Sequence, residues 1–378
     1  MRIAVPREIR DGEKRVALVP DVINKLTRLG YEVVIESGAG VHSQATDDLY
    51  TAAGATVKSG NVISDADVVL SVTSLTPAQM GSLKKGAVTI SFLSPVTGAD
   101  SIDAAASAGV TAFSLELVPR ISRAQSMDAL TSQALCAGYR AALVGAELSP
   151  RFFPMLMTAA GTVTPAQVLV LGAGVAGLQA IATARRLGGV VSAYDVRPSS
   201  ADEVKSMGAT FIQLELESLE GAGGYAREMT EERAAKQREL LTPYIAKSHV
   251  VITTAAVPGR TAPRLMTQAM IDAMEPGTVI VDLAAETGGN VEGSKPGEVV
   301  VTSGGVRIWG GQDVPSQLPF HASSLYSRNV VNLLTLMTTG TKDGAPVALN
   351  LDFADEIISA SAVTHSGQRR DPSAGGAK

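Results

Sequence analysis

The sequence predicts an α/β protein with two domains, each built around a parallel β-sheet. The chain has 378 residues, which is more than one hydrophobic core usually serves. Short segments of Val, Ile and Leu alternate with helical patterns, as expected of strands that are buried on both faces. The residues are 45% apolar and 18% charged, which is typical of a globular chain.

The first series of strands and helices lies in the N-terminal part of the chain. A helix is predicted at residues 20–30, with Asp21 in its first turn and Gly30 as its end. The predicted strands of this series are residues 2–5, 31–40, 67–72, 87–93 and 111–117.

A second series begins near residue 167. Its predicted strands are the QVLVLGAG segment, then residues 190–196, 210–216, 249–255 and 278–284. An alanine-rich helix at 130–148 links the two series, and apolar residues at 323–339 predict a helix that returns the chain to the first domain. The polar tail, residues 368–378, is expected to be disordered.

Composition excludes several classes of protein. A net charge of −5 argues against a nucleic-acid surface. Cys136 is the single cysteine, so an internal disulfide is impossible and a reducing, cytoplasmic setting is expected. The four histidines include no pair at metal-ligand spacing, and we expect no metal site. The N-terminus does not have the pattern of a signal peptide, and no run of about 18 apolar residues occurs.

The strongest local signal is a G-x-G-x-x-G motif between a predicted strand and a predicted helix. Gly172 would allow the tight turn, Gly174 the approach of a pyrophosphate, and Gly177 the close packing of helix on strand. The helix begins at Val175 and Ala176, where unpaired N–H groups and the helix dipole favour phosphate. The motif predicts a dinucleotide site, and a glycine turn without a ligand is the alternative.

Asp195 ends the next predicted strand, 18 residues beyond Gly177. An acid at about this distance accepts hydrogen bonds from the adenosine ribose and repels a 2′-phosphate, so the site should prefer NAD(H) to NADP(H). Val196 and Arg197 follow it. Arg197 either neutralises Asp195 or pairs with the pyrophosphate.

Two further segments are candidates for cofactor contacts. Residues 253–257, which include Ala256, follow a predicted strand and either line the nicotinamide side or form a plain strand-to-loop transition. Gly224 and Tyr225 lie in a glycine-rich segment that suits a flap over a bound ligand, or a surface loop. His249 is expected at the surface rather than in catalysis.

Residues 119–133 combine two arginines, two glutamines and an aspartate, which marks either a site or a solvated connection. Reduction of a carbonyl by NADH needs a proton donor as well as a hydride. The first domain offers poor candidates for that donor, His42 among them.

Nearly the whole chain resembles the family shared by alanine dehydrogenase and the NAD(H)-binding component of proton-translocating NAD(P)+ transhydrogenase. The resemblance is carried, in order, by MRIAVPREIRDGEKRVALVP (1–20), the glycine motif, TTAAVPG (253–259), VIVDLAAETGGN (279–290) and VPS (314–316). Alanine dehydrogenases carry a lysine and a histidine where an ungapped alignment gives Ser71 and Ser94. The PRISRAQSMD loop (119–128), the GGYAREM segment (223–229) and the stretch from AGTV to GAGVAGLQAIATA (160–184) are similar to the transhydrogenase branch.

The transhydrogenase branch accounts for the missing acid. Hydride passes directly from NADH to NADP+, and neither nicotinamide gains or loses a proton, so positioning matters rather than acid–base chemistry. The resemblance implies that Arg120, paired with Asp128, orients the nicotinamide carboxamide, and that Gln125 bonds the nicotinamide ribose. Thr131 stands where the family usually has serine, and it keeps the hydroxyl. Tyr225 would be the flap residue.

Two other residues, one in this loop and one in the QDVPS segment (312–316), are less defined by the resemblance. Arg123 either pairs with a phosphate of the partner's nucleotide or is simply exposed, and the second is favoured. Asp313 stands where relatives often show asparagine, which leaves its contact open.

The resemblance implies two Rossmann-like, doubly wound parallel-sheet domains separated by a cleft. The first comprises residues 1–130 and 315–378, and the second, which binds NAD(H), comprises residues 131–314. We expect a homodimer that docks on a membrane-spanning, proton-conducting component, with NADP(H) supplied by a further component. The expected location is the cytoplasmic side, peripheral on the inner face of the cell membrane. The alternatives are an amino-acid dehydrogenase with another proton donor and a non-catalytic NAD(H)-binding module.

Overall fold

The chain forms two compact units. The computed structural model describes residues 1–95, 98–216, 230–256, 260–340 and 346–371. The first unit comprises residues 1–133 with 316–378, and the second comprises residues 134–315. The sequence placed these boundaries at residues 131 and 315. Each unit has its own sheet and its own hydrophobic core, as expected of a domain.

The first unit is built on a six-stranded sheet in which all pairs are parallel. Its strands are β1 (Arg2–Val5), β2 (Glu32–Glu36), β3 (Thr56–Lys58), β4 (Val68–Leu70), β5 (Val88–Ser91) and β6 (Thr111–Ser114). Their order in the sheet is β3-β2-β1-β4-β5-β6, which is that of a doubly wound dinucleotide fold.

Helices cover this sheet, and two of them come from the C-terminal part of the chain. The early helices are α1 (Pro20–Arg28), α2 (Asp47–Ala52), α3 (Pro77–Gly81) and α4 (Ala99–Ser107), and the late ones are α10 (Pro319–Leu336) and α11 (Glu356–Ser361). Helix α10 is held to the N-terminal segment by serine hydroxyls, because Ser323 accepts from the Val16 N–H and Ser327 from the Val19 N–H, both at 3.0 Å. The predicted return of the chain to the first domain is therefore observed.

Two small antiparallel pairs complete the first unit. They are β16 (Thr338–Thr339) with β17 (Ala348–Leu349), and β18 (Thr364–His365) with β19 (Gln368–Arg369). The expected disorder of the tail is thus wrong for residues 368–369, and residues 372–378 lie outside the described residues.

The second unit is built on a seven-stranded sheet. Its strands are β9 (Gln167–Leu171), β10 (Val190–Tyr194), β11 (Thr210–Phe211), β12 (Val250–Thr253), β13 (Val279–Asp282), β14 (Val299–Val301) and β15 (Arg307–Gly310). Their order is β11-β10-β9-β12-β13-β15-β14, and all pairs are parallel except β14 with β15. The parallel sheet of the first unit and the mostly parallel sheet of the second confirm the predicted class of Rossmann-like α/β domains.

Helices and one hairpin surround this second sheet. The helices are α5 (Ala129–Leu148), α6 (Val175–Arg186), α7 (Ser200–Ser206), α8 (Glu231–Ala246) and α9 (Gln268–Asp272). Helix α5 begins in the first unit and ends in the second. A separate antiparallel hairpin joins β7 (Leu156–Thr158) and β8 (Gly161–Val163). In the part of the chain that the structure describes, no helix is both long and apolar enough to cross a bilayer.

Candidate functional site

The glycine motif forms the turn between β9 and α6. Gly172 has a φ of +101°, a conformation that residues with a Cβ rarely adopt. Its N–H donates to the Tyr194 carbonyl at 2.8 Å, which ties the turn to the end of β10. A Cβ on Gly172 would lie 2.6 Å from the Thr254 hydroxyl oxygen. Both the backbone angle and the space therefore require glycine here.

The other two glycines of the motif differ in what surrounds them. A Cβ on Gly177 would lie 1.9 Å from the Gly172 carbonyl oxygen, so the first turn of α6 packs directly on the loop. A Cβ on Gly174 would meet no described atom within 4 Å. Gly174 precedes α6, whose first residues Val175 and Ala176 have N–H groups without intrahelical partners. This open space fits the pyrophosphate of a dinucleotide.

Asp195 lies directly after β10 and is bonded within the protein on both carboxylate oxygens. Oδ2 accepts from the Ala173 N–H at 2.7 Å and from Arg197 Nη2 at 3.0 Å. Oδ1 accepts from the backbone N–H and from Nε of Arg197, both at 2.9 Å. These four bonds fill the roughly four acceptor positions of a carboxylate. Without a nucleotide Arg197 pairs with Asp195, so ribose hydroxyls would have to compete with it, and the pairing of Arg197 with a pyrophosphate stays a prediction.

The segment after β12 lies beside the glycine turn. The Thr254 N–H donates to the Leu171 carbonyl at 2.9 Å, and its hydroxyl donates to the Gly172 carbonyl at 3.0 Å. Ala256 follows and is exposed. Strands β9 and β12 are neighbours where the strand order reverses, which is where doubly wound sheets bind ligands.

Three separate stretches predicted as cofactor-binding therefore meet at one edge of the second sheet. They are the glycine turn, the residues Asp195, Val196 and Arg197, and the segment that ends at Ala256. Gly224 and Tyr225 lie outside the described residues.

In the first unit, the polar loop is a short 3-10 helix at Ser122–Met127. Ala124 and Met127 are buried in the core of that unit, whereas Arg120 and Gln125 are exposed. The Gln125 side chain makes no hydrogen bond within the described residues. Buried apolar residues thus fix the loop, and its amide side chain faces solvent.

Asp128 and Thr131 bond to each other at the start of α5. The Thr131 N–H donates to Asp128 Oδ1 at 2.8 Å, and the Thr131 hydroxyl donates to Oδ2 at 2.7 Å. Asp128 therefore acts as a cap of α5, in which a short acidic side chain satisfies an unpaired N–H. The Asp128 carboxylate thus bonds Thr131, and the pairing of Asp128 with Arg120 stays a prediction.

The polar loop is tied to the C-terminal helices by bonds that the sequence did not reveal. Asn329 and Asn332 of α10 both donate to the Ser126 carbonyl, at 3.0 and 3.1 Å. Arg123 forms a two-point ion pair with Asp355, the cap of α11, at 2.5 and 3.1 Å. The nearby guanidinium lowers the pKa of Asp355. Arg123, half exposed, therefore has a role in holding the loop.

The two positions that lack the dehydrogenase residues lie at the carboxyl ends of β4 and β5. The Ser71 hydroxyl donates to the Thr73 carbonyl at 2.7 Å. Ser94 is exposed, has a φ of +47°, and donates its N–H to Glu116 at 2.8 Å. Neither hydroxyl is an acid or base near neutral pH.

Two carboxylates near this edge of the first sheet are held inside the protein. Burial raises the pKa of Glu8, which accepts from the N–H groups of Val72 and Thr73. Burial alone would also raise the pKa of Glu13, but bonds from Arg15 and Ser316 lower it to about 2. Three of the five N–H donors of Arg15 bond within the protein, because Nε and Nη2 donate to Glu13 at 2.8 and 2.6 Å and Nη1 donates to Gln133 at 2.9 Å.

Two further residues bear on the sequence expectations. His249 Nδ1 accepts from the Gln167 N–H at 3.0 Å, which makes it part of the junction between β9 and β12. Burial, followed by the charge of Arg151, lowers its pKa. Asp313 has a φ of +45°, a region that Asn and Asp tolerate better than most residues, which accounts for an exchange between those two types.

Comparisons with known proteins cover almost all of the chain. The model of the alanine dehydrogenase/PNT N-terminal domain matches residues 4–137, and that of the C-terminal domain matches residues 141–372. The first part of the NAD(P) transhydrogenase subunit alpha of Rhodospirillum rubrum is 48% identical over 377 aligned residues, covering 97% of each chain. The alanine dehydrogenase of Mycobacterium tuberculosis is 33% identical over 301 residues, covering 78% of this chain and 76% of that protein.

A solved structure gives the same picture of the fold. The crystal structure of the transhydrogenase from Sinorhizobium meliloti superposes with a TM-score of 0.85 at 42% identity. The superposition covers 99% of the present chain and 100% of the Sinorhizobium meliloti chain.

Proposed function

The chain belongs to the alanine dehydrogenase/PNT family, and from this premise we propose that it is the NAD(H)-binding component of a proton-translocating NAD(P)+ transhydrogenase. Bound NADH supplies the hydride, which passes to NADP+ held by a separate component. The task of this chain is then to bind, orient and select the dinucleotide.

The turn after β9 supports binding of the dinucleotide. The open space at Gly174 and the first N–H groups of α6 suit a pyrophosphate. Asp195 supports a preference for NAD(H), because its carboxylate repels a 2′-phosphate. The paired Arg197 weakens that repulsion, so we expect the preference to be moderate.

One observation favours direct hydride transfer over reduction of a carbonyl. It is the absence of an available acid–base group at the carboxyl ends of β4 and β5, within the described residues. Ser71 and Ser94 offer no acid–base group, and Glu8 is committed to two backbone N–H groups. Arg15 is buried, and the Nε and Nη2 edge of its guanidinium is already paired with Glu13, so that edge is not open to a substrate carboxylate. Direct hydride transfer between two nicotinamides needs neither group.

The polar loop supports a role in orientation. By the resemblance, Gln125 would bond the nicotinamide ribose, and Arg120 with Asp128 would orient the carboxamide. The exposed Gln125 amide on a loop anchored by buried apolar residues suits that role, since a fixed donor and acceptor restricts the geometry of a bound ring.

Other subunits complete the proposed enzyme. The name of the relative from Rhodospirillum rubrum makes it one part of a subunit alpha, which implies further polypeptides in that enzyme. For this chain we propose an NADP(H)-binding component and a membrane-spanning component that conducts protons. The chain itself would lie on the cytoplasmic side, peripheral on the inner face of the cell membrane.

We also propose that the chain forms a homodimer through the β7–β8 hairpin. Met155, Met157 and Phe152 in and before this hairpin are 58%, 76% and 60% exposed. Among the described residues, β7 and β8 pair with each other and with no other strand. A two-stranded hairpin is marginally stable alone, so an apolar partner surface from a second copy would stabilise it.

The test is a titration of the purified chain with NADH, followed by addition of an NADP(H)-binding transhydrogenase component. Hydride exchange between NADH and an acetylpyridine nucleotide analogue should appear only when that component is present. Tight NADH binding without exchange would instead indicate a binding module. Turnover of pyruvate and ammonium by the chain alone would indicate an amino-acid dehydrogenase.

A further inference from the structure

The buried side chain of Asn290 bonds the segment that follows β12. Asn290 is completely buried. Its Oδ1 accepts from the Ala255 N–H at 3.0 Å, and its Nδ2 donates to the Ala255 carbonyl at 2.8 Å. Nδ2 also donates to the Pro263 carbonyl at 2.8 Å. The amide therefore serves both backbone groups of one residue and a third group eight positions further along the chain.

Ala255 needs this substitute partner because it lies beyond the end of the sheet. The ladder between β12 and β13 ends at Thr253 and Asp282, so Ala255 has no neighbouring strand to pair with. Unpaired backbone groups that are removed from water are costly. The side-chain amide of Asn290 has the same donor and acceptor as a peptide group, and it continues the hydrogen bonding that the strand has lost.

Asn290 is itself held firmly. Asp282, also completely buried, accepts from the Asn290 N–H at 3.3 Å and from the Thr253 hydroxyl at 3.0 Å. The Asn290 carbonyl accepts from the N–H groups of Leu265 and Met266, at 2.8 and 3.0 Å. Its side chain thus has little freedom to change partners.

The bonded network reaches the glycine turn. Ala255 follows Thr254, whose hydroxyl donates to the Gly172 carbonyl at 3.0 Å. A continuous set of bonds therefore runs from Asp282 through Asn290 and Ala255 to the turn at Gly172. The exposed Ala256 is the next residue along the chain from this network.

We propose that Asn290 is a positioning residue that sets residues 254–256 against the nicotinamide half of NAD(H). The inference rests on the proposed function, because it assumes that NAD(H) is the ligand. Asn290 bonds Ala255 directly but reaches the glycine turn only through Thr254, so we expect its loss to affect the nicotinamide half more than the ADP half, whose pyrophosphate would be held by the backbone of the turn. The motif VIVDLAAETGGN ends at this asparagine.

The experiment compares NADH with ADP-ribose, which lacks the nicotinamide ring. Asn290→Asp keeps the acceptor and the volume but loses the two donors, so its carboxylate faces the carbonyls of Ala255 and Pro263. Asn290→Ser is the milder variant, and the two Kd values are measured on it if the aspartate variant does not fold. We expect the Kd for NADH to rise about tenfold or more, since buried acceptors are left unpaired. The Kd for ADP-ribose should stay within about twofold.

Thr278→Val is the matched control. Thr278 is buried at the amino end of β13, and its hydroxyl donates to the Glu275 carbonyl at 2.7 Å. Its loss removes a part-buried hydrogen bond from the same unit and should leave both affinities unchanged. Equal weakening of NADH and ADP-ribose by the Asn290 variants, or unchanged NADH binding, would overturn the inference. A wild-type chain that fails to bind NADH would instead count against the proposed function.

Discussion

At the scale of single residues, the glycines of the turn have different roles: one is required for packing of the fold, and the other leaves space for a ligand. Gly177 is required by the protein, because the Gly172 carbonyl occupies the space of a side chain. Gly174 has a φ of −76° and a ψ of −169°, which other residues adopt without strain. Nothing described in the protein fills the space beside it. The sequence pattern treats the two glycines alike, and the structure distinguishes them.

We therefore expect opposite phenotypes from two alanine variants. Gly177→Ala should lower the free energy of unfolding by about 1–3 kcal/mol, because the helix must move away from the turn. Gly174→Ala should shift Tm by a few degrees at most, the loss expected of a helix cap. It should nevertheless weaken NADH binding about tenfold or more, because its methyl group enters the space of the pyrophosphate. Thermal unfolding of both variants measures their stability, and titration with NADH measures their affinity. An unchanged NADH affinity in Gly174→Ala would contradict the proposed pyrophosphate site.

The sequence predicted single site residues where their pattern is local, but not the hydrogen bonds between residues that are far apart in the chain. Motif spacing was enough to find the glycines and Asp195, because their pattern is local in the chain. The hydrogen bonds of Asn329 and Asn332 to Ser126 join residues more than 200 positions apart. Nothing in the sequence near either asparagine indicates them. Asn290 was visible as the end of a motif, but its bonds to Ala255 follow from how β12 and β13 end.

At the scale of elements, the polar loop depends on α10. The side chains of Asn329 and Asn332 lie one turn apart on that helix and meet at a single carbonyl. Asn329 Oδ1 also accepts from the Ser132 hydroxyl at 2.7 Å, and Asn332 Oδ1 accepts from Lys25 at 3.1 Å. The C-terminal helix therefore supports the loop that carries Gln125.

Replacing both asparagines by aspartate should separate orientation from binding. The double variant Asn329→Asp with Asn332→Asp keeps the acceptors for Ser132 and Lys25, but it loses both donors to Ser126. We expect the rate of hydride exchange with the partner component to fall about tenfold, and NADH affinity to change by less than about twofold.

Lys25→Ala is the control for this pair. It removes the other bond of Asn332 and leaves the Ser126 carbonyl untouched. The control should exchange hydride at the wild-type rate. A double variant with unchanged exchange, or one that loses rate and affinity equally, would show that the asparagines do not act through the loop.

The positions of the long strands were predictable, whereas those of β3, β14 and the β7–β8 hairpin were not. Long buried segments such as β9 and β13 have the Val and Ile content of a parallel sheet, and their positions were found. Strand β3 has three residues with no buried apolar run, and β14 is an antiparallel edge strand with two exposed residues. The hairpin β7–β8 is exposed along both strands. Such segments lack the burial pattern on which the prediction depends.

At the scale of the whole molecule, the apolar hairpin bears on assembly. Replacing Met155 and Met157 together by glutamate should weaken the proposed homodimer about a hundredfold or more, since two exposed apolar side chains would each lose burial against the second copy. Sedimentation over a dilution series measures the dissociation constant. NADH binding should persist in the variant, since the glycine turn belongs to one chain.

Met207→Glu is the control for charge and side-chain type. Met207 is 41% exposed after α7 and lies outside the hairpin. It should leave the oligomeric state unchanged. If the double variant sediments as the wild type does, the hairpin is not part of the dimer interface.

For the proposed function, the bonds that Asp195 already makes have a consequence for how readily the nucleotide is exchanged. A carboxylate that is fully hydrogen-bonded before the ligand arrives gives up about as many bonds as it gains, so the net gain in free energy from the ribose is small. Arg197 can return to Asp195 as soon as the ribose leaves, which favours dissociation. Such a site suits a nucleotide that is replaced in every catalytic cycle rather than one that is retained as a permanent prosthetic group.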